Sequence, residues 1–292
     1  MSRLTARLFT VALSHLAFLT IAPNALSQNL SVGSASGFGL LGLDNGNVSI
    51  NLSTQLVGDV GYSNGVDSVI NQKAENFAGS ALVHSGATFS YEASNFLPSG
   101  GIQSGAGIDS RLNQANADIL RLAGNLSGLG ATQSGGFLAD DDSRIFVSNA
   151  ALNVIDVTGV SYNSDTLTLQ SRTGLSDTFV IRVSGNFTFS QSEVILDGIT
   201  AENVIFYFPN ASSILVNKDA SDFHGTILAP TGSVVYHNAA QFSGAIIAKN
   251  IDVHSAFNLE QVTFVVPEPS AALLGLAGLG LVLFRRKRWE NM

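Results

Sequence analysis

The chain has 292 residues, of which 45% are hydrophobic and only 12% are charged, and none is cysteine. Soluble globular domains usually carry about 25% charged residues, so this is not the composition of an ordinary cytosolic enzyme, and the lack of cysteine excludes disulfides, thiolate metal sites and cysteine nucleophiles. The net charge of −8 argues against nucleic-acid binding, which needs clustered Lys and Arg to neutralise phosphates.

Charge is distributed unevenly along the chain. Residues 28–266 contain eight basic and twenty acidic residues, a balance of −12, whereas six of the fourteen basic residues lie in the two ends. Each end also contains an apolar run. The ends are therefore interpreted separately from the body of the protein.

Residues 1–27 have the organisation of a secretory signal peptide. Two basic residues precede an apolar run, and small residues stand at the −3 and −1 positions of a cleavage point: Arg3 and Arg7, Leu8–Ala22, and Ala25 and Ser27. We expect export through the Sec translocon and cleavage by signal peptidase before Gln28. The alternative is a retained membrane anchor, which the short run and the cleavage point disfavour.

One segment of the body has helical periodicity. Its apolar residues are spaced alternately by four and three positions, and polar residues occupy the other side: Ile108, Leu112, Ala115, Ile119, Leu122 and Leu126 against Arg111, Asn113, Gln114, Asn116 and Asp118. This pattern predicts a single amphipathic helix that ends near residues 124–130. Its apolar side needs a partner surface, so we expect it to pack along the side of the remaining structure.

A repeat of 19 residues relates two segments near the end of the body, 223–234 and 242–253. Five pairs of positions are identical, and the first four alternate as one side of a strand does: Phe223/Phe242, Gly225/Gly244, Ile227/Ile246, Ala229/Ala248 and Val234/Val253. Nineteen extended residues make a circuit of about 60 Å, which suits one rung of a three-sided coil.

Other strand-like segments extend this repeat. Residues 202–208 precede 226–230 by about 21 positions, and residues 179–183, 187–189 and 194–196 supply a further circuit. The sequence therefore predicts a mainly β fold over 28–264, a parallel β-solenoid with about 19–21 residues per rung. The alternative is a two-sheet antiparallel sandwich, which shares most of these strands.

Chemically reactive groups in the body form no strong pattern. Asp140, Asp141 and Asp142 lie in a Gly-rich region and supply oxygens of the kind that Ca²⁺ binds, but without the EF-hand spacing, so an acidic surface loop is favoured. Four histidines, His84, His224, His237 and His254, are zinc-ligand candidates, but the last three are 13 and 17 positions apart, and outward or corner positions are favoured over a metal site. We predict no metal, no cofactor and no catalytic residue.

The C-terminus has the order of a sorting signal. Val266, Pro267, Glu268, Pro269 and Ser270 precede an apolar stretch at 271–284, which is followed by Arg285, Arg286, Lys287 and Arg288. Fourteen residues rise about 21 Å as a helix, less than the roughly 30 Å of a hydrocarbon core, and the basic cluster would stay cytoplasmic and stop transfer. The alternative is a plain C-terminal anchor.

Residues 265–292 resemble the PEP-CTERM sorting signal of Gram-negative bacteria. The resemblance implies that a membrane peptidase, the exosortase, recognises Val266–Pro269, removes the transmembrane helix at 271–284 and releases the body. The precursor would be held transiently in the inner membrane by this helix and its basic stop at 285–288. The mature protein would reach the cell surface or an extracellular polysaccharide matrix.

The body also resembles a known family. The resemblance rests on Val57–Ser63, on the helical segment at 108–126, and on the motifs at 203–206, 223–229 and 244–249. Over residues 38–264 it looks like the ice-binding-like solenoid family and is similar to the choice-of-anchor A domain, which implies a discontinuous β-solenoid with a helix along one side. No regular Thr-x-Thr ladder is visible in the sequence.

The main functional expectation is an exported, non-catalytic cell-surface or matrix protein that contacts extracellular polysaccharide or another surface. The alternative is an ice-binding or ice-adhesion protein that uses a flat solenoid face. A polysaccharide-active β-helix enzyme is the third hypothesis, because paired carboxylates in a groove can cleave glycosides.

Overall fold

The fold of the body is seen in a computed structural model, which describes residues 30–51, 55–70, 76–91, 98–172, 177–210, 213–217, 222–237, 241–254 and 258–266. The strands and the helix described all belong to one structural unit, Ser31–Val265. The predicted signal peptide at 1–27 and the predicted apolar helix and basic tail at 271–288 lie outside the described residues.

The unit consists of short strands and one α-helix, α1 (Ala106–Gly128), with 3₁₀ turns at Gly33–Ala35 and Ala201–Asn203. The strands are β1 (Phe38–Asn51), β2 (Gln55–Val57), β3 (Asp59–Tyr62), β4 (Asp67–Ile70), β5 (Asn76–Ala78), β6 (Ala81–Val83), β7 (Thr88–Tyr91), β8 (Ile102–Ser104), β9 (Gln133–Leu138), β10 (Arg144–Val147), β11 (Leu152–Asn163), β12 (Thr166–Gln170), β13 (Thr178–Val183), β14 (Phe187–Ser190), β15 (Glu193–Asp197), β16 (Val204–Tyr207), β17 (Ser213–Asn217), β18 (Phe223–His224), β19 (Thr226–His237), β20 (Phe242–Gly244), β21 (Ile246–His254) and β22 (Asn258–Gln261).

The strands form a parallel coil, as predicted. One rung is made of β13, β14 and β15, the three segments expected at 179–196, and each segment pairs in parallel with the corresponding strand of the rung before it, β11 or β12. Every pairing between the described strands is parallel. The antiparallel sandwich is therefore wrong.

The stacking order is discontinuous in sequence. Strand β1 pairs with β21 on one edge and with β3 and β4 on the other, so the C-terminal rung lies in the middle of the stack. The chain climbs from β1 to β8 and then crosses the stack by α1 to β9. From there it returns through β11 to β21. A 23-residue helix is about 35 Å long, which is about seven strand spacings, so α1 can bridge this distance.

The predicted rung length of 19–21 residues holds in part of the stack and is wrong in the rest. Ile227 pairs with Ile246, 19 positions on, and Val60 with Ala81, 21 positions on. Leu152, however, pairs with Thr178, 26 positions on, and most pairs between β9 and β17 are 22–27 residues apart.

One corner of these longer rungs, next to the start of β13, is polar. There Asp177 is fully buried, and its Oδ2 accepts hydrogen bonds from the hydroxyls of Ser148 (2.5 Å) and Ser171 (2.6 Å). Nearby, the buried Asn153 binds the backbone of Ala150 through both its amide oxygen and its amide nitrogen. Buried carboxylates and amides need such partners. A search for hydrophobic periodicity does not detect polar residues that are buried in this way.

The 19-residue repeat is confirmed over its first half. Phe223 pairs with Phe242, and their rings stack with centroids 5.5 Å apart. Ile227/Ile246 and Ala229/Ala248 also pair as predicted. Gly225 and Gly244 are in contact, and a Cβ on Gly244 would lie 2.1 Å from the carbonyl oxygen of Gly225, so the close stacking requires glycine.

The predicted pair Val234/Val253 is wrong. Between the two halves of β19 and β21 the register shifts, because residues 230–232 of β19 face only Lys249 of β21. Val234 therefore pairs with Ile251, and Val253 pairs with Tyr236, which reduces the offset from 19 to 17.

Helix α1 packs on the side of the coil as expected. Leu112, Ala115, Ile119, Leu122 and Leu126 are buried, and the helix contacts β6, β8 and β19. Burying one such leucine contributes about 1.5–3 kcal/mol.

Asp118 corrects the predicted polar side of α1, because it is buried. Its carboxylate accepts a hydrogen bond from the Ser34 amide (2.8 Å) and further bonds from Gln114 and Arg121. Burial alone would raise the pKa of Asp118, but these hydrogen bonds and the Arg121 charge lower it below its usual range.

Candidate functional site

The coil has three sides, which differ in what their outward side chains meet. The helix-covered face consists of β3, β6, β13 and β16 and the first halves of β1, β11, β19 and β21. The side chains that point outward from it are buried, among them Leu41, Leu82, Leu228 and Ile247. The split face consists of two separate sheets, β10–β12–β15 and β18–β20–β22–β2–β5. The third side, the open face, comprises β14, β17, β4 and β7 and the second halves of β11, β19, β21 and β1.

The open face is one continuous array of eight parallel strands, β11–β14–β17–β19–β21–β1–β4–β7. Its inward residues, such as Phe187, Ile214, Val234, Ile251 and Val48, pair across the strands and lie in the hydrophobic core. At about 4.8 Å per strand spacing, the array extends about 34 Å along the coil.

The outward residues of the open face are short and mostly uncharged. Pairing aligns them in three columns: Ser161, Thr188, Leu215, Val235, Asp252, Ser49 and Ser90; Asn163, Ser190, Asn217, His237, His254 and Asn51; and Ser213, Ser233, Asn250, Asn47, Asp67 and Thr88. Asp252 and Asp67 are the acidic members, and these columns contain no Lys or Arg. The chemistry of the open face is therefore mostly that of hydroxyls, amides and methyl groups, with two carboxylates and two imidazoles among them.

Several of these side chains are held in place by their neighbours. The Asn51 side-chain amide donates to Ser49 Oγ (2.8 Å), and the backbone amide of Asn47 donates to Asn250 Oδ1 (3.1 Å). The hydroxyl of Ser190 donates to Asn217 on the next strand. Such bonds fix the rotamers before any binding event, which lowers the entropy cost of binding.

His237 and His254 lie side by side in the middle of the open face. Their rings stack with centroids 4.3 Å apart, and His254 Nε2 lies 2.8 Å from Asp252 Oδ1. Partial burial lowers the pKa of His237, and the neighbouring His254 lowers it further against the opposing effect of Asp252. Their spacing of 17 lies outside the predicted rung length of 19–21 residues, but the register shift in β19 makes 17 the local repeat and brings the two histidines together.

The other sequence candidates lie apart from the open face. Asp140, Asp141 and Asp142 form a turn between β9 and β10, in which Asp142 pairs with Arg144 at 2.9 Å. Across the described residues, no group of three or more His, Cys, Asp or Glu is arranged to hold a metal ion.

Of the processing residues, Val266 is the last that the structure describes. Ala25, Ser27, Pro267, Glu268, Pro269, Arg285, Arg286, Lys287 and Arg288 lie outside the described residues. Where the chain is described, none of its helices combines the length and the apolar character needed to cross a bilayer.

Sequence reasoning missed the open face, although a signal for it exists. Four five-residue stretches share polar residues at both ends and inward apolar or aromatic residues at the second and fourth positions: 213–217, 233–237, 250–254 and 47–51. They align only after the register shift in β19 and the pairing of β1 with β21 are known. A search with a constant 19-residue offset therefore does not bring them together.

Comparison with known proteins gives a consistent family and fold. The family model of the ice-binding-like adhesive domain matches residues 20–259. No curated protein matches the chain. Among solved structures, an ice-binding protein from an Antarctic Flavobacteriaceae bacterium aligns with a TM-score of 0.57 and 16% identity, over 80% of this chain and 48% of its own. This chain thus spans about half the length of that protein.

Two further ice-binding proteins align over nearly their whole length. One from an Antarctic biological consortium has a TM-score of 0.54 and 20% identity, over 79% of this chain and 91% of its own. One from an Arctic yeast has a TM-score of 0.56 and 18% identity, over 83% and 98%. These likenesses show the fold, and because the family model matches residues 20–259, the chain belongs to the ice-binding-like adhesive domain family.

Proposed function

We propose that this chain is an exported, non-catalytic adhesive protein whose open face binds ice. The observation that carries the proposal is the outward array of mostly short hydroxyl, amide and methyl side chains on a continuous set of eight parallel strands. The family and the ice-binding proteins of the same fold support the ice-binding alternative more directly than a matrix role.

The geometry of the open face suits an ordered surface. Outward residues recur about every 4.8 Å across the strands and about every 6.8 Å along them, which makes a regular grid. Short side chains with fixed rotamers hold water in place at little entropy cost, and methyl groups such as those of Thr188 and Val235 favour removal from liquid water. Long basic side chains, which would disrupt such a layer, do not occur in the three columns.

A bulky substitution in the middle of the open face tests this proposal. Val235→Tyr places a large ring above the grid, whereas Thr168→Tyr places the same ring on an outward position of the split face. We expect V235Y to lose most of the thermal hysteresis and the inhibition of ice recrystallisation, and T168Y to retain them. Wild-type protein with neither activity, or equal activity in both variants, would contradict ice binding by the open face.

The route of export is a second part of the proposal. It is supported by the order of motif, apolar run and basic cluster in residues 266–288, and by the signal-peptide pattern of residues 1–27. We infer that signal peptidase removes 1–27 and that exosortase releases the body from the inner membrane to the surface or matrix. Intact-mass measurement of the secreted protein tests this, and a form that retains 271–292 in exosortase-containing cells would contradict it.

The non-catalytic part of the proposal has its own test. The protein is expected to release no sugars from extracellular polysaccharides. Sugar release that a single Asp or Glu substitution abolishes would instead support the β-helix enzyme hypothesis.

A further inference from the structure

A groove lies at the edge between the helix-covered face and the open face, beside the C-terminal end of α1. We call it the corner groove; its volume is about 450 Å³, and it is lined by Ser127, Asp156, Thr158, Arg182, Ser184 and Tyr207. This volume is in the range of small-ligand sites. The groove is distinct from the open-face grid and from the split face.

The base of the corner groove is rigid and electrically balanced. The Arg182 guanidinium donates to both carboxylate oxygens of Asp156, at 2.7 and 3.0 Å, and to the carbonyl oxygen of Leu129 at 2.7 Å. The hydroxyls of Ser127 and Tyr207 are hydrogen-bonded to each other at 2.7 Å. The bidentate ion pair carries no net charge, so neither an anion nor a cation is strongly favoured here.

Hydrogen-bonding groups remain accessible around this base. The Asp156 side chain is 49% exposed, and a carboxylate oxygen can accept more than one hydrogen bond. Thr158 and Ser184 are exposed; the Thr158 hydroxyl can donate and accept, and the Ser184 hydroxyl, which donates to the Val157 carbonyl oxygen at 3.4 Å, can accept. Together they offer a ligand several polar contacts of both kinds without a free charge.

An exposed aromatic ring lies on the neighbouring strand β9, next to the residue that follows Thr158 of the corner groove. Phe137 is 57% exposed and pairs with Gly159, the residue that follows Thr158. A Cβ on Gly159 would lie 3.0 Å from Phe137 Cε2, so the ring packs closely over the backbone at this position. An exposed ring beside hydroxyl and carboxylate groups matches a ligand that has both an apolar face and several hydroxyls.

We propose that the corner groove binds one or two pyranose rings of a neutral polysaccharide. A sugar ring packs its C–H face on Phe137, while its hydroxyls bind Asp156, Thr158 and Ser184. Acidic polysaccharides are disfavoured, because the body carries −12 and the one cation that lines the groove, Arg182, is already paired with Asp156. The protein would thus hold a matrix polymer through this groove independently of the open face.

Affinity electrophoresis and calorimetry with dextran, galactomannan and hydroxyethylcellulose, with alginate as the acidic comparison, test the proposal. Wild-type protein should bind at least one neutral polymer and bind alginate more weakly. Phe137→Ala should weaken that binding about tenfold, a loss typical of one stacking contact. Ile145→Ala is the matched control, because Ile145 is 60% exposed on the same end rung but on the split face, and it should bind as wild type does.

Thr158→Tyr, which fills the corner groove, provides a second variant that should abolish binding. Unchanged thermal unfolding midpoints confirm that the variants are folded, and unchanged ice adsorption separates this groove from the open face. Wild-type protein that binds none of the neutral polymers, binding that survives both F137A and T158Y, or stronger binding of alginate would each overturn the proposal.

Discussion

The helix-covered face and the open face share several strands, yet α1 covers one face and the other is exposed to solvent. In β1, β19 and β21, the first half of the strand places Leu41, Leu228 and Ile247 outward. The second half places mostly short polar residues outward, such as Ser49, Ser233 and Asn250. The apolar outward stripe is removed from water by α1, whereas the polar stripe remains uncovered. The difference shows that the outward side chains, and not the strands, decide which side of a solenoid becomes an interface.

The largest expected effect is on the interface between α1 and the coil. Leu122 is 1% exposed, so Leu122→Ala leaves a cavity and should lower the free energy of unfolding by about 2–5 kcal/mol. Leu120→Ala is the matched control on the same helix, where the side chain is 53% exposed, and should change stability by less than about 0.5 kcal/mol. Urea denaturation measures both. Equal losses would mean that α1 is not held by its apolar side.

The next largest effect is expected at Asp118, whose hydrogen bond from the Ser34 amide forms a polar anchor for α1. Asp118→Asn weakens the bond from the Ser34 amide and should cost about 1–3 kcal/mol near neutral pH, as expected for a buried hydrogen-bonded charge. Because the pKa of Asp118 is lowered in the folded protein, its contribution is present above the carboxyl's unfolded pKa and is lost as pH falls through the folded pKa. The difference between wild type and D118N should therefore shrink at about pH 3.

The control for the anchor is Asp140→Asn, in the exposed turn between β9 and β10. It should leave stability unchanged at both pH values. A D118N penalty that stays constant down to acid pH would argue against a charged Asp118 as the anchor.

The smallest effect is expected on the open face. The pKa of His237 is lowered by partial burial and by His254, so the folded protein binds this proton less readily than the unfolded chain does. Stability should therefore fall slightly as pH is lowered through about 6.5, the unfolded value. His237→Asn should flatten this part of the pH profile, measured by thermal unfolding. His224→Asn, on the split face, is the control variant, and a profile that H237N leaves unchanged would contradict the assignment.

Local patterns predicted several elements of this fold. The four-and-three spacing around Leu112 and Leu122 identified α1, because a helix with one buried side must repeat in this way. The alternation in Ile227 and Ala229 identified rungs, because like residues stack on like in a parallel coil. The Ser-rich corner around Asp177 escaped prediction, since polar residues that are buried with partners look the same in sequence as exposed ones.

The candidate site was less accessible to sequence reasoning than the fold. The outward residues of the open face come from strands that are distant in the chain, and β1 meets β21 only because α1 returns the chain across the stack. The corner groove likewise combines Ser127 of α1 with Asp156 and Tyr207 of separate rungs. Such combinations depend on pairing between strands, which no local periodicity encodes.

The sequence by itself determined the acidic, cysteine-free character of the body, its rungs of β-strands and its one amphipathic helix, because these follow from composition and from short-range periodicity, and it favoured a parallel solenoid over an antiparallel sandwich. The tertiary structure decided the register, through the shift of residues 230–232 against Lys249, and with it the neighbours of His237 on the open face. It also decided which side α1 covers. Register and coverage are set by contacts between distant segments, and their free energy is gained only when the coil is assembled.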